Sequence, residues 1–551
     1  MSSTAGKVPR LAANRLDWTL PRVLARQAAE RPDSACLQLV GEAALTYGEI
    51  NKIARNIAAG LRRTGVSRGD AVVIMAGNSA DAVCSWLALG LLGATEVCIN
   101  TAYRGQTLEH ALNTAKARFM IIAGEFLERI EESEARLQFL KTLVVVGKTV
   151  SRPSRARFEE IPFTDVCAEA RADEAEFPDV QPGEIASVIY TSGTTGPAKG
   201  VMMPHAQIYL LAQMTVEGLQ LEQNDVFYCF HPMFHMAGKF MAVFGTMIAG
   251  GKMVLDRTFL PEHWLDRVRE YQATVGLGHG PMLEMIFAQP ARPVDSDNPM
   301  RRILGAPFPK RIARDFERRF GIKGIEVWGM TEVGVPCWHP FDEPLRLGSC
   351  GKNDQERFDV RIVDPATDEE RAAGETGEIV VRPKIPWILM QGYMGMPDQT
   401  VETWRNLWFH SGDSGYIDHE GYMYFVDRIK DRIRRRAENI SSYDIESAAA
   451  SHPAVAEAAA VGVPSEYEND DDIKLCVVVR QGDVLDPLDL LKHLASSLPH
   501  NMVPRYIEIL DALPRTPTNK VRKSELRARG LGQPVWDRKA HGISVRDLVA
   551  G

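Results

Sequence analysis

At 551 residues the chain exceeds what one ordinary hydrophobic core fills, which excludes a single small domain and predicts at least two. Hydrophobic residues make up 45% and charged residues 25%, a globular balance that excludes a fibrous or disordered protein. The net charge of −8 argues against nucleic acid or an anionic membrane as partner, and eight cysteines with no CxxC pair suit reduced thiols in a cytoplasm.

The first thirty residues lack the apolar core of a signal peptide, and Pro21 to Glu30 is expected as a surface helix rather than part of a transit peptide. Thr46-Tyr47-Gly48-Glu49 reads as a capping box, and Ile50, Ile53, Ala54, Ile57, Ala58 and Leu61 follow at helical spacing. A strand is expected over Ala71 to Met75, a helix over Ser79 to Leu92 and a strand over Thr95 to Ile99. A helix over Thr107 to Lys116 and a strand over Phe119 to Ala123 come next. The apolar stretch Ala82 to Thr95, about fourteen residues, is too short to cross a bilayer and fits a buried helix. This alternation predicts an α/β fold around a parallel sheet.

Ser151 to Pro182 is expected as a surface connection. It leads to a buried strand, Ile185 to Tyr190, and then to Thr191, Ser192, Gly193, Thr194, Thr195 and Gly196, with Lys199 close behind. Small and hydroxylated residues let backbone N–H groups crowd around an anion, so this loop reads as a phosphate cradle. It is not the G-x4-G-K-[ST] loop, since Ala198 and Gly200 break that pattern.

YTSGTTGPAKG resembles the signature of the adenylate-forming superfamily, which includes acyl-CoA synthetases, and companion motifs follow in the family's order. By that resemblance Gly305, Ala306 and Pro307 lie against adenine, and Trp328-Gly329-Met330-Thr331-Glu332 is the family's YGMTE with Trp for Tyr. Trp328 would stack on the purine, Thr331 would donate to the α-phosphate and Glu332 would hold Mg²⁺. Asp413, in WFHSGD, would accept from the ribose hydroxyls, with Arg428 beside it. His235, Gly278, Gly280 and Val333 are implied at the acyl pocket and thiol tunnel; Trp338 and Trp328 are expected to shape the pocket.

The resemblance also implies a division of the chain. Residues 1–427 would form a large N-terminal domain of stacked, mostly parallel sheets with helices. Residues 428–431 would be a hinge containing Lys430, and 432–551 a small mobile α+β domain. Arg434, Arg435, Ala437 and Glu438 would face coenzyme A, and Lys520 would be the catalytic lysine that bridges carboxylate and α-phosphate. Ala437 departs from the family's usual glycine, which puts the thiol step in doubt more than the first step. Asn519, where glycine is common, is a milder change.

The implied activity is ATP-dependent ligation of a small carboxylic acid to coenzyme A, in an enzyme without membrane insertion, of a kind in which homodimers are common. An adenylation enzyme that loads a separate carrier protein, or a nucleotide-binding protein impaired in thioester formation, are the alternatives. The wording DRIKDRIRRRAENISSYDIE and INTAYRG looks most like bacterial acyl-CoA ligases of the crotonobetaine/carnitine-CoA ligase type.

Overall fold

The structure is a computed structural model that describes residues 8–147, 157–168, 176–191, 198–310, 312–428, 433–435, 438–440, 442–467, 470–514, 521, 523–532 and 534–549. The expected capping box forms. Thr46 Oγ1 accepts from the Glu49 N–H at 3.2 Å, and Glu49 Oε2 accepts from the Thr46 N–H at 2.8 Å, starting the helix Tyr47–Arg63. Helix Ala80–Leu92 is apolar on all sides and buried almost throughout, as its sequence requires. It ends at Gly93, whose φ of +66° suits glycine. Among the described residues no helix is long and apolar enough to cross a membrane.

Two large sheets dominate. The first has seven strands, running from Glu159–Pro162 at one edge, through Ala71–Met75 and Thr95–Cys98, to Ile185–Thr191 and Lys199–Pro204. It is parallel except for that last pair. The second has thirteen strands. Its parallel part runs from Ala35–Leu39 through Val226–Cys229, Val275–Gly278 and Arg302–Gly305 to Lys323–Met330. From Lys323–Met330 onward the pairing turns antiparallel and stays so through Phe409–Ile417 and Tyr422–Arg428.

Helices Ala80–Leu92 and His205–Leu219 touch strands of both sheets, Tyr47–Arg63 packs on Ala80–Leu92 and on strands of the second sheet, and one continuous apolar core fills the layer. Burial on both faces explains why the parallel strands are continuously hydrophobic rather than alternating.

The last part of the chain has its own core and a sheet of four strands, Val455–Pro464, Asp471–Val479, Tyr506–Ile509 and Val535–Asp537. Helices Ser442–Ala450 and Pro487–Ser497 accompany it. A short hairpin, Ile433–Arg435 with Glu438–Ile440, lies between this unit and the large sheets in the sequence. All eight cysteines are free thiols, and seven of them are buried.

His205 is a core residue at the start of helix His205–Leu219. Its Nδ1 accepts from the Leu20 N–H at 3.3 Å, and burial pulls its pKa from 6.5 to about 4. The unfolded chain takes up this proton near 6.5, whereas the folded one waits until about 4. The contribution is therefore complete above pH 6.5 and is lost as the pH falls to about 4; this one site supplies about 3 kcal/mol of that loss. Urea midpoints recorded across this window should fall steadily with acid, and His205→Gln should flatten the slope. An unchanged slope would refute the assignment.

Candidate functional site

One cavity of about 560 Å³ opens where the two large sheets and the small unit meet. Its walls include the end of strand Ile185–Thr191, the end of strand Lys323–Met330 with Thr331 and Glu332, Asp413 of the antiparallel part, and Arg434, Ile440 and Asp444 of the small unit. The ends of the parallel strands converge here, the usual place for a ligand in an α/β sheet.

The geometry around Glu332 is fixed by three residues. Its carboxylate is buried, and the Tyr393 hydroxyl donates to Oε1 at 3.1 Å. Gln207 Nε2 donates to the carbonyls of Thr331 at 2.9 Å and Glu332 at 3.0 Å, and the Met390 N–H donates to the latter at 2.9 Å. Gly329 is required by close approach, since a Cβ there would stand 2.1 Å from the Gly334 carbonyl oxygen. Lys199 lies 4.6 Å from the Tyr393 ring centre, so one tyrosine joins the end of the phosphate loop to the acidic motif. Nothing in the sequence of Gln207 or Tyr393 marks them, because their partners are distant in the chain.

Trp328 does more than offer a flat ring. Its Nε1 donates to Asp413 Oδ2 at 3.0 Å, and the Asp413 N–H is held by Ser411 Oγ at 3.0 Å. The substitution of Trp for Tyr thus gives the ring a donor that orients the neighbouring carboxylate. Glu326, two residues earlier on the same strand, also lines the cavity, as do Lys310 and Gly348. Glu326 and Lys310 were not picked out by the sequence motifs; Gly348 belongs to the loop expected after Trp328–Glu332.

A second region is mostly apolar, with Phe234, Met236, Met241, Leu277 and Leu304. His235 and His279 stand on its wall, and His231 lies behind, its Nε2 2.5 Å from His279 Nδ1. Burial pulls His235 down to about 4 and His231 to about 3, and lowers His279 as well. All three rings are therefore neutral at pH 7. His235 Nδ1 accepts from the Ala237 N–H at 3.2 Å, which puts its proton on Nε2. The segment Ala237–Phe244 that follows is π-helical, and its Gly238 is packed so closely that a Cβ would lie 2.6 Å from the carbonyl oxygens of His231 and Pro232. Beneath this wall, Lys239 forms a fully buried ion pair with Glu96 and also reaches Cys98 Sγ, which faces the cavity.

Of the sequence-predicted residues, Thr191, His235, Ala306, Pro307, Trp328, Gly329, Met330, Thr331, Glu332, Asp413 and Arg434 line this cavity together. Gly305 ends the strand before it, while Gly278, Gly280 and Val333 are not among the lining residues. Trp338 was expected to shape the pocket; instead its ring packs over Gly218, where a Cβ would meet it at 2.2 Å. Arg435 was expected to face coenzyme A. It is turned inward, donating to the carbonyls of Asn501 at 3.1 Å and Val503 at 3.0 Å. Strand alternation explains the split, since Arg434 and Arg435 must point to opposite faces of the hairpin. Residues 192–197, Lys430, Ala437 and Lys520 lie outside the described residues, as do the side chains of Arg428 and Glu438.

A family model described as AMP-binding enzyme matches residues 24–394, and one described as AMP-binding enzyme C-terminal domain matches 444–520. A feruloyl-CoA synthase from Amycolatopsis sp is 31% identical over 496 residues, covering 89% of this chain and 94% of its own. A crotonobetaine/carnitine–CoA ligase from Salmonella heidelberg is 27% identical over 489 residues, covering 88% and 93%. Among solved structures, a double mutant of the o-succinylbenzoate CoA synthetase from Bacillus subtilis, bound with its product analogue, has a TM-score of 0.79. It is 26% identical, covering 94% of this chain and 99% of that one.

Proposed function

The chain belongs to the AMP-binding enzyme family, among its adenylate-forming acyl-CoA ligases, and from that premise we propose that it activates one carboxylic acid with ATP and passes the acyl group to coenzyme A. The observation that carries this reading is the shared cavity. Trp328, Thr331, Glu332 and Asp413 of the large sheets meet Arg434 and Ile440 of the small unit's hairpin in one space.

In the first step a carboxylate oxygen attacks the α-phosphorus of ATP, an acyl–O–P bond forms, and pyrophosphate leaves. The attacking group is already an anion, so the protein's work is positioning and charge neutralisation. Trp328 packs against the adenine and holds Asp413 toward the ribose, while Thr331 donates to phosphate oxygen. Lys520 bridges the two reacting anions. Glu332 is a buried carboxylate oriented by Tyr393, and a single such ligand beside phosphate oxygens suits Mg²⁺, which takes its remaining oxygens from substrate and water. When bound there, the ion supplies neutralisation of the phosphate charge. In the second step the thiol sulfur attacks the acyl carbon, a C–S bond forms, AMP leaves with the bonding electrons, and the thiol proton passes to solvent.

The wall formed by Phe234, Met236, Met241, Leu277 and Leu304 carries no charge of its own, and the histidines beside it are neutral. We therefore assign it an uncharged acyl tail, in preference to a quaternary-ammonium one. The test is pyrophosphate and AMP release over a panel of aromatic, short-chain and betaine-type acids, each with and without coenzyme A. Pyrophosphate with an uncharged acid, and acyl-CoA only when the thiol is added, is the expected result. Turnover confined to a betaine would overturn the tail assignment. Pyrophosphate without thioester would move the acceptor role to a carrier protein.

A further inference from the structure

Three imidazoles gather at the ends of two neighbouring strands of the second sheet. His231 and His235 follow strand Val226–Cys229, and His279 follows its parallel neighbour Val275–Gly278. Ring centres are 4.6 Å apart for His231 and His279, and 5.6 Å apart for His235 and His279. His235 and His279 line the cavity, while His231 is buried behind them. Along the sheet the order runs Lys323–Met330, Arg302–Gly305, Val275–Gly278, Val226–Cys229. Strands lie about 4.8 Å apart, so His279 stands about 10 Å to the side of Thr331, where the proposed phosphate chemistry occurs. That separation sets the histidines against the tail of the acid rather than its reacting carboxylate.

The partners decide where the protons are. Cys229 Sγ accepts from the His231 N–H at 3.3 Å and lies 3.9 Å from His231 Nδ1. With its sulfur already accepting, the thiol donates to Nδ1, and the His231 proton sits on Nε2. His231 Nε2 then donates to His279 Nδ1 across 2.5 Å, which leaves the His279 proton on Nε2. His235 reaches the same tautomer by another route, its Nδ1 accepting from the Ala237 N–H at 3.2 Å. On both cavity-lining rings the acceptor is used and the donor is left over. Among the described residues neither Nε2–H has a protein acceptor, and neither atom is sealed from the cavity. The nearby Glu96 carboxylate does not serve them, because it accepts from Lys239 and from Ser187 Oγ. Two N–H donors in an otherwise apolar wall are costly to dry unless an acceptor meets them.

We propose that the uncharged tail of the acid carries a ketone, whose oxygen accepts hydrogen bonds from His279 Nε2–H and His235 Nε2–H. A carbonyl oxygen has two lone pairs, and the two rings meet it at an interplanar angle of 73°. His231 touches no part of the acid; it is a positioning residue that holds the His279 tautomer. A plain hydrocarbon tail would leave both donors unmet. This inference rests on the ligase reading and names the class of acid it takes.

The test uses matched acids built on the skeleton active in the pyrophosphate assay, octanoate and para-propylbenzoate among them. Each parent is compared with the forms in which one tail CH2, at successive positions, is replaced by C=O or by CHOH. Pyrophosphate release by the full-length enzyme gives kcat/KM for every acid. The best ketone should exceed its parent about a hundredfold, about tenfold for each hydrogen bond. His279→Met should cut that ratio about tenfold, and His279→Gln, whose amide N–H stands in for Nε2–H, should keep most of it. His231→Phe should lower the ratio about threefold by releasing the His279 tautomer. Each ratio compares two acids on one protein, so a loss of folded enzyme cancels. A ketone no better than its parent at any position, or a His279→Met variant with the wild-type ratio, would overturn the assignment. A preference for the alcohol over the ketone would reverse the tautomer and overturn it too. Pyrophosphate from no acid at all would instead overturn the ligase reading beneath it.

Discussion

Glu332→Gln is expected to slow pyrophosphate release about 10²- to 10³-fold while leaving the thermal unfolding temperature nearly unchanged. Glutamine keeps the volume, and its carbonyl can still accept from the Tyr393 hydroxyl, which donates to Glu332 Oε1 at 3.1 Å. The backbone anchors from Gln207 and Met390 do not involve the side chain at all. Only the negative charge is lost, and with it the hard oxygen ligand that Mg²⁺ requires. Raising the Mg²⁺ concentration should recover part of the rate. Tyr393→Phe removes one hydrogen bond of about 1 kcal/mol and should cost only about fivefold. A glutamine variant within tenfold of wild type would remove Glu332 from the phosphate chemistry.

The second large effect lies beneath the acyl region. Lys239 and Glu96 are each 1% exposed, and Ser187 Oγ donates to the other carboxylate oxygen at 2.8 Å. Lys239→Met would leave Glu96 as an unpaired buried charge, a change expected to destabilise the protein by about 3–5 kcal/mol. Adding Glu96→Gln removes the stranded charge, so the double variant should regain most of that stability. Chemical unfolding of the wild type, both single variants and the double variant closes the cycle. Equal loss in the single and double variants would mean that packing, not charge, holds this site.

The motif residues were legible because their chemistry is local. A glycine- and hydroxyl-rich turn, an acid after Gly-Met-Thr, and an aspartate in Ser-Gly-Asp each announce themselves within a few positions. The parallel strands were legible from their continuous apolar runs, and the helix Tyr47–Arg63 from its cap. Contacts set by distant chain were hidden. Gln207 and Tyr393 reach Glu332 across more than sixty positions, and Trp328 reaches Asp413 across 85. Arg434 and Arg435 look alike in a basic run, and only the hairpin's alternation sends one into the cavity and the other into the small unit. Trp338 was misplaced for a related reason. The pattern shows a large ring near the site, but not which side of its strand it leaves from.

The burial of the cysteines bears on how turnover can be watched. The thiolate is the form that attacks thiol reagents, and a free thiol ionises at about 8.5. Burial pushes Cys36, Cys229, Cys350 and Cys476 up to about 12 and the half-buried Cys167 to about 11, and raises Cys84, Cys98 and Cys337 too. An aromatic disulfide dye added to samples of a running reaction should therefore colour with the acceptor's remaining thiol long before it colours with the protein's. Acceptor consumption can be followed in samples withdrawn at set times, with the folded enzyme as a nearly silent background and its unfolding visible as a late burst of eight new thiols.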